Sequence, residues 1–210
     1  MIETINKCGI VPVVKLTDVE KAEKLAEALR AGGINCAEIT FRAPNAEIAI
    51  KKILKKYPDM IVGAGTVLDL REAELAVSAG AKFIVSPGLK EQILQYAAEQ
   101  NVLAVPGCIT PTEIQRALDF ELEVVKFFPA EQFGGLGTIK ALSAPFPQIR
   151  FMPTGGISLA NLKQYLHEKA VLECGGTFMV KEELICNSQW QKITQLSREA
   201  AEVVRTARGL

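Results

Sequence analysis

The chain has 210 residues, 49 % apolar and 23 % charged, the balance of one ordinary globular domain and not of a disordered chain. Lys plus Arg numbers 24 and Asp plus Glu 24, so no general pull toward nucleic acid or anionic membrane exists, and the partner is expected to be a small molecule. One histidine, His167, and five scattered cysteines without a CxxC pair exclude a multi-histidine metal site and leave Cys-only zinc without its usual spacing.

In chain order, Met1–Lys7 has no charged-then-apolar signal layout. Ile10–Leu16 follows as the first short, β-rich apolar run. Thr17-Asp18-Val19-Glu20 then fits a capping box, opening a helix in which Ala22, Leu25, Ala26 and Leu29 share a face. Gly32-Gly33 ends that helix. The second run is Cys36–Arg42, and the helix after it carries Ile50, Ile53 and Leu54 at helical spacing. The third run, Ile61–Val67, precedes a helix that stops at Gly80. Runs four and five are Phe83–Gly88 and Val102–Cys108. Thr110-Pro111-Thr112-Glu113 is a second capping box, with proline at the first helical position. Runs six to eight are Val124–Pro129, Ile149–Gly156 and Val171–Phe178. His167 lies in a polar helical stretch and reads as a surface residue, whereas Trp190, in the last helical segment, reads as packing.

The starts of the eight runs are spaced 19 to 26 residues apart. Strand–helix alternation repeated this often predicts a parallel sheet with helices outside it. Neither nucleotide-binding glycine fingerprint is met, and the leucine-rich solenoid pattern is missing. The expected architecture is a single α/β domain over 1–210, a compact (β/α)8 TIM barrel with short loops. No apolar run reaches about 18 residues, so no membrane span is expected, and the odd, scattered cysteines fit a reduced cytoplasmic protein.

Barrel ligands bind at the C-terminal ends of the strands. Those ends are rich in glycine and proline: Gly63-Ala64-Gly65-Thr66, Ser86-Pro87-Gly88, Val105-Pro106-Gly107, Pro153-Thr154-Gly155-Gly156 and Gly175-Gly176-Thr177. Each glycine serves either ligand approach or a tight turn. The groups after strands seven and eight occupy the place where barrels hold phosphate. There the amides of Gly155, Gly156, Gly175 and Gly176, with the Thr177 hydroxyl, are phosphate donors.

Lys126 stands in the apolar run Val124-Val125-Lys126-Phe127-Phe128-Pro129. Lysine is seldom buried without a reason, and desolvation favours the neutral amine that attacks carbonyls. The plainer reading is a lysine that snorkels to the rim or pairs with a carboxylate. Alternation puts Glu38, Thr40 and Arg42 on one face of their strand, with Ala37, Ile39 and Phe41 on the helix side. A self-satisfied Glu–Arg pair and a catalytic set fit that spacing alike. In the catalytic set the carboxylate shuttles protons, the amine forms an imine and the guanidinium clasps a substrate carboxylate. The same parity groups Lys126 with Phe128, and Val62 and Ala64 with Thr66. In the right register, every polar side chain singled out on strands two, three and six faces inward.

Glu38-x-Thr40-x-Arg42, Gly63-Ala64-Gly65-Thr66, Ser86-Pro87-Gly88, Lys126-Phe127-Phe128-Pro129-Ala130-Glu131, Pro153-Thr154-Gly155-Gly156 and Gly175-Gly176-Thr177 occur in this order. Together they resemble the 2-keto-3-deoxy-6-phosphogluconate (KDPG) / 4-hydroxy-2-oxoglutarate (KHG) aldolase family, from about Ile10 to the last helix. The resemblance implies a class I, metal-independent carbon–carbon lyase of the cytoplasm, a homotrimer acting on a 2-keto acid. It needs no cofactor beyond the covalent imine on Lys126. By the same resemblance, Lys126 is the Schiff-base lysine and Glu38 the general acid–base. Arg42, Thr66 and Pro87 surround the pyruvate carboxylate, and Phe128 stacks near the imine. Gly155, Gly156 and Thr177 meet the substrate phosphate. Many members carry serine where Thr177 stands. Thr154 matches phosphogluconate enzymes better than their galactonate relatives.

The expected reaction cleaves 2-dehydro-3-deoxy-6-phosphogluconate to pyruvate and glyceraldehyde 3-phosphate, and 4-hydroxy-2-oxoglutarate to pyruvate and glyoxylate. Two alternatives remain open on sequence: an aldolase for the galactonate epimer, and a non-catalytic barrel that binds a phosphorylated metabolite. A phosphate-binding isomerase needs a second acid–base group or a metal, for which His167 alone offers little.

Overall fold

The computed structural model describes residues 8–209, so the Met1–Lys7 segment lies outside the described residues. Each of the eight apolar runs contains a parallel strand. These are β1 (Ile10–Val14), β2 (Cys36–Thr40), β3 (Ile61–Gly65), β4 (Phe83–Val85), β5 (Leu103–Val105), β6 (Val124–Phe127), β7 (Arg150–Pro153) and β8 (Cys174–Gly176). The strands are shorter than the runs because the proline- and glycine-rich tails leave the ladder and form loops at one end of the sheet.

Amphipathic helices connect them: α1 (Ala22–Ala31), α2 (Ala46–Lys56), α3 (Leu70–Ser78), α4 (Glu91–Glu99), α5 (Pro111–Asp119), α6 (Gly135–Ser143) and α7 (Leu159–Leu166). After β8 come the short α8 (Glu182–Cys186) and the long α9 (Trp190–Arg208). Ala22, Leu25, Ala26 and Leu29 of α1 are all buried, as are Ile50 and Ile53 of α2, and Leu54 is half-buried. The Thr110 box forms as expected: the Glu113 N–H donates to the Thr110 hydroxyl, and the Glu113 carboxylate accepts the Thr110 N–H at 2.9 Å. The Thr17 box does not form. Asp18 is the cap instead, its carboxylate accepting the Glu20 N–H at 3.0 Å, and a 3-10 turn over Val19–Lys21 precedes α1. A carboxylate one residue nearer outcompetes the threonine hydroxyl for the free N–H groups.

β5-β4-β3-β2-β1-β8 forms a curled six-stranded parallel sheet and β6-β7 a parallel pair. Isolated bridges run between them. Lys126 N–H donates to Pro106 O at 2.8 Å, and Cys108 N–H to Lys126 O at 2.9 Å. Phe151 and Val171 are bridged, as are Thr154 and Gly175.

Register decides which side chains share a face. Glu38 pairs with Gly63 and Thr40 with Gly65, while Ala37 pairs with Val62 and Ile39 with Ala64. Paired residues of a parallel sheet point the same way. The concave face of β3 therefore carries Gly63 and Gly65, and Val62 and Ala64 face the helices. This corrects the parity expected for β3. Thr66 does not continue the alternation, because its φ of 55° takes it out of the strand conformation. The concave side is packed by fit of large against small: a Cβ on Gly63 would lie 2.3 Å from the Phe83 ring.

Candidate active site

β2 and β6 bring two charges together on the concave face. Lys126 Nζ lies 3.6 Å from Glu38 Oε1. Lys126 is 5 % exposed and Glu38 is fully buried. The separation makes an ion pair but not a hydrogen bond, and neither carboxylate oxygen of Glu38 has a hydrogen-bond partner. A buried carboxylate with unused acceptor capacity is costly as pure scaffolding. It suits a group that exchanges a proton with something bound beside the amine.

Gly65 supplies the room. A Cβ there would stand 2.0 Å from Glu38 Oε1, so the carboxylate occupies the space of a missing side chain. Thr40, fully buried, donates its hydroxyl to Val14 O at 2.8 Å and helps fix β2 against β1. Arg42 lies two residues beyond the strand and is exposed, its Nε 3.4 Å from Thr40 Oγ1. It stands on the Glu38 side of β2, at the rim and not in the interior.

The remaining expected residues gather at the same ends of the strands. The Phe128 ring centroid is 5.3 Å from Lys126 Nζ, and Phe128 is 41 % exposed. The Phe128–Pro129 peptide is cis. Thr66 is half-buried, and Pro87 is exposed beside the buried Ser86. Thr154 is buried, and its hydroxyl has no hydrogen-bond partner. Gly155 and Gly156 follow with φ of 97° and 82°, two successive left-handed residues that only glycine adopts readily. Thr177 is exposed past the end of β8. Gly175 and Gly176 lie in β8 itself, and packing requires them to be small. A Cβ on Gly175 would meet Thr154 Oγ1 at 2.4 Å, and one on Gly176 would meet Ile10 Cδ1 at 3.0 Å.

Sequence reasoning misses a second buried carboxylate, Glu173. Glu173, 1 % exposed, lies immediately before β8 and two positions ahead of Gly175, and its Oε2 has no hydrogen-bond partner. Burial first, then the neighbouring Cys8 and Glu38, pushes its carboxyl well above the usual range, and Arg208 opposes them. The signal was present in the sequence. A charged residue inside Val171-Leu172-Glu173-Cys174 has the signature that singles out Lys126.

His167 is exposed at the C-terminal end of α7, and Trp190 is half-buried against the core. Cys36, Cys108 and Cys174 are buried, and Cys186 is exposed. Burial pushes the Cys108 thiol up to about 12, which makes it an inert core residue. Among the described residues no group of three His, Cys, Asp or Glu side chains stands close enough to hold a metal ion, and no helix is long and apolar enough to cross a membrane.

The family model described as KDPG and KHG aldolase matches residues 1–196. The KHG/KDPG aldolase of Escherichia coli K12 is 43 % identical over 201 aligned residues, covering 95 % of this chain and 94 % of that protein. A KDPG aldolase from Legionella pneumophila, solved with pyruvate captured as a covalent carbinolamine intermediate, superposes with a TM-score of 0.91 at 36 % identity, covering 95 % of this chain and 98 % of that one. The KDPG aldolase of Zymomonas mobilis ZM4, solved with 3-phosphoglycerate, gives a TM-score of 0.87 at 39 % identity, with coverages of 95 % and 94 %. With a family match over most of its length and relatives this similar over almost all of it, the chain belongs to the KDPG and KHG aldolase family.

Proposed function

We propose that this protein is a class I aldolase that cleaves 2-keto-3-deoxy-6-phosphogluconate, and also 4-hydroxy-2-oxoglutarate, through an imine on Lys126. The observation that carries the reading is the buried Lys126–Glu38 ion pair at 3.6 Å, with neither Glu38 oxygen hydrogen-bonded.

The mechanism follows from that pair. Glu38 takes a proton from the Lys126 ammonium, the freed amine adds to the C2 ketone, and the same proton returns to the carbinolamine hydroxyl, which leaves as water to give a protonated imine and an ionised Glu38. Glu38 takes the proton of the C4 hydroxyl, directly or through a water. The C3–C4 bond breaks, and its electrons move onto C3 and the imine as an enamine. The C4 fragment leaves as glyceraldehyde 3-phosphate, or as glyoxylate from the smaller substrate. Protonation at C3 and hydrolysis of the imine release pyruvate and restore the amine. The iminium is the electron sink, so no metal or external cofactor is required. Arg42 at the rim, with Thr66 and Pro87, holds the pyruvate carboxylate. Phe128 covers the imine side, and Gly155, Gly156 and Thr177 receive the phosphate, with Thr154, Gly175 and Gly176 packed beneath them.

The two sheets form one closed (β/α)8 barrel, a single domain over 1–210. The bridges at Gly107–Lys126 and Thr154–Gly175 support that closure. Assembly as a cytoplasmic homotrimer is part of the same reading, and the exposed apolar side chains of Leu68, Leu70 and Phe133 supply surface for it. A passive metabolite-binding barrel leaves the acceptor sites of the buried Glu38 carboxylate unused. Rates with the phosphogluconate and phosphogalactonate epimers distinguish the galactonate alternative.

The test is borohydride reduction in the presence of pyruvate, followed by peptide mass spectrometry. A reduced pyruvyl adduct on Lys126 is expected. Pyruvate bound without an adduct would sink the imine mechanism and favour the binding barrel.

A further inference from the structure

The turn that follows β7 is gripped from two sides. Ala130 N–H donates to Thr154 O at 2.8 Å, and Glu131 N–H to Gly155 O at 3.2 Å. On the opposite side, Asn161 Nδ2 donates to Gly156 O at 3.0 Å, while Asn161 Oδ1 accepts the Ser158 N–H at 2.8 Å. The stem of Glu131 lies flat against Gly156: a Cβ there would be 2.3 Å from Glu131 Cγ and 2.6 Å from Glu131 Cβ.

Glu131 is itself exposed, and an exposed glutamate ordinarily samples several rotamers. Here its far end is tied. Tyr165 of α7, only 2 % exposed, donates its hydroxyl to Glu131 Oε1. A phenol donating to a carboxylate is a charge-assisted bond, stronger than a neutral one. Gly135 leaves room for the pair: a Cβ there would stand 2.8 Å from Tyr165 Oη and 3.1 Å from Glu131 Oε1. Burial, then the bond to Glu131, raises the Tyr165 phenol above its ordinary value, so it stays protonated and able to donate at neutral pH.

We propose that the Tyr165–Glu131 hydrogen bond is the brace that keeps the Thr154-Gly155-Gly156 turn shaped to receive a phosphate, making Tyr165 a positioning residue for the phosphorylated end of the substrate. This rests on the reading of Gly155–Gly156 as the phosphate end given above. Released from Tyr165, Glu131 swings off Gly156 and the two left-handed glycines lose one wall. The brace lies at the end of β7, apart from the Lys126–Glu38 pair. Its loss therefore weakens binding of a phosphorylated substrate and leaves imine chemistry on an unphosphorylated one intact.

The test compares Tyr165→Phe with the wild-type enzyme on 2-keto-3-deoxy-6-phosphogluconate and on 4-hydroxy-2-oxoglutarate. The expected result is a rise of about tenfold in KM for the phosphorylated substrate, with kcat/KM for the other within about twofold. Glu131→Ala should reproduce it. Glu131→Gln, which keeps an acceptor oxygen, should restore most of the wild-type ratio. The pyruvate adduct on Lys126 should form to the wild-type extent in each variant. Loss of that adduct, or an equal fall on both substrates, would show the pair to support the whole barrel and overturn the positioning role. A wild-type preference for the phosphorylated substrate that Tyr165→Phe leaves unmoved overturns the brace alone. Wild-type indifference to the phosphate overturns the phosphate-end reading and the brace with it.

Discussion

Glu38 fills the space that a side chain on Gly65 would occupy, with Oε1 only 2.0 Å from the position of the missing Cβ. A glycine on a neighbouring strand thus sets where the carboxylate stands relative to Lys126. Gly65 is not among the residues with left-handed φ, so alanine there brings no backbone strain and acts through contact alone. Gly65→Ala is expected to push Glu38 off its position and lower kcat by about 10²-fold, since a displacement near 1 Å costs on that order. The pyruvate adduct on Lys126 should still form. Unchanged kcat with the alanine in place would count against Glu38 as the proton-transfer group.

Glu38→Gln tests the same group by chemistry and not by position. The amide keeps the shape and loses the basicity. Turnover should fall by about 10²–10⁴-fold, the range for loss of a general acid–base. Lys126→Ala should abolish turnover and cost about 3–5 kcal/mol of stability, because it strands Glu38 as an unpaired buried charge. Urea midpoints for Lys126→Ala alone and with Glu38→Gln separate the two effects. The double variant should recover part of the loss if the stranded charge causes it.

Strand alternation made Lys126 and Glu38 legible before any coordinates, since each is a charge inside an apolar run whose neighbours alternate toward helices. The rule failed where the backbone left the strand. Alternation groups Thr66 with Val62 and Ala64, but those face the helices and Thr66 adopts a φ of 55°, so the interior of β3 belongs to Gly63 and Gly65. In the sequence those glycines fit a ligand approach or a turn. Their contacts show a third reason, room for Phe83 and Glu38, which depends on cross-strand neighbours that a one-dimensional pattern does not contain. The Tyr165–Glu131 bond joins residues 34 positions apart and is equally invisible to spacing.

Arg42 sits at the rim, exposed, with only a 3.4 Å contact from its Nε to Thr40, so most of its donors are available to a ligand. Arg42→Lys keeps the charge and loses the planar fork. KM for the keto acid should rise by about tenfold with little change in kcat, as expected when ground state and transition state lose the same contact. Steady-state kinetics on either substrate decides it, and an unmoved KM would remove Arg42 from carboxylate binding.

Glu173 makes the stability of the whole fold depend on pH in a direction opposite to that of an ordinary surface carboxylate. Its carboxyl is held well above the ordinary 4.5 by burial first, then by Cys8 and Glu38, so the folded protein keeps a proton that the unfolded chain has released. Where the folded state binds more protons, stability falls as pH rises, by up to about 1.4 kcal/mol per pH unit for one group. The contribution is fully present below the ordinary value and is lost as pH climbs toward the raised one. Glu173→Gln keeps the shape and removes the titration. Its urea midpoint should therefore decline less than that of the wild type between about pH 5 and 8. Parallel declines in the two proteins would mean that Glu173 is already ionised in the fold, held in that state by Arg208.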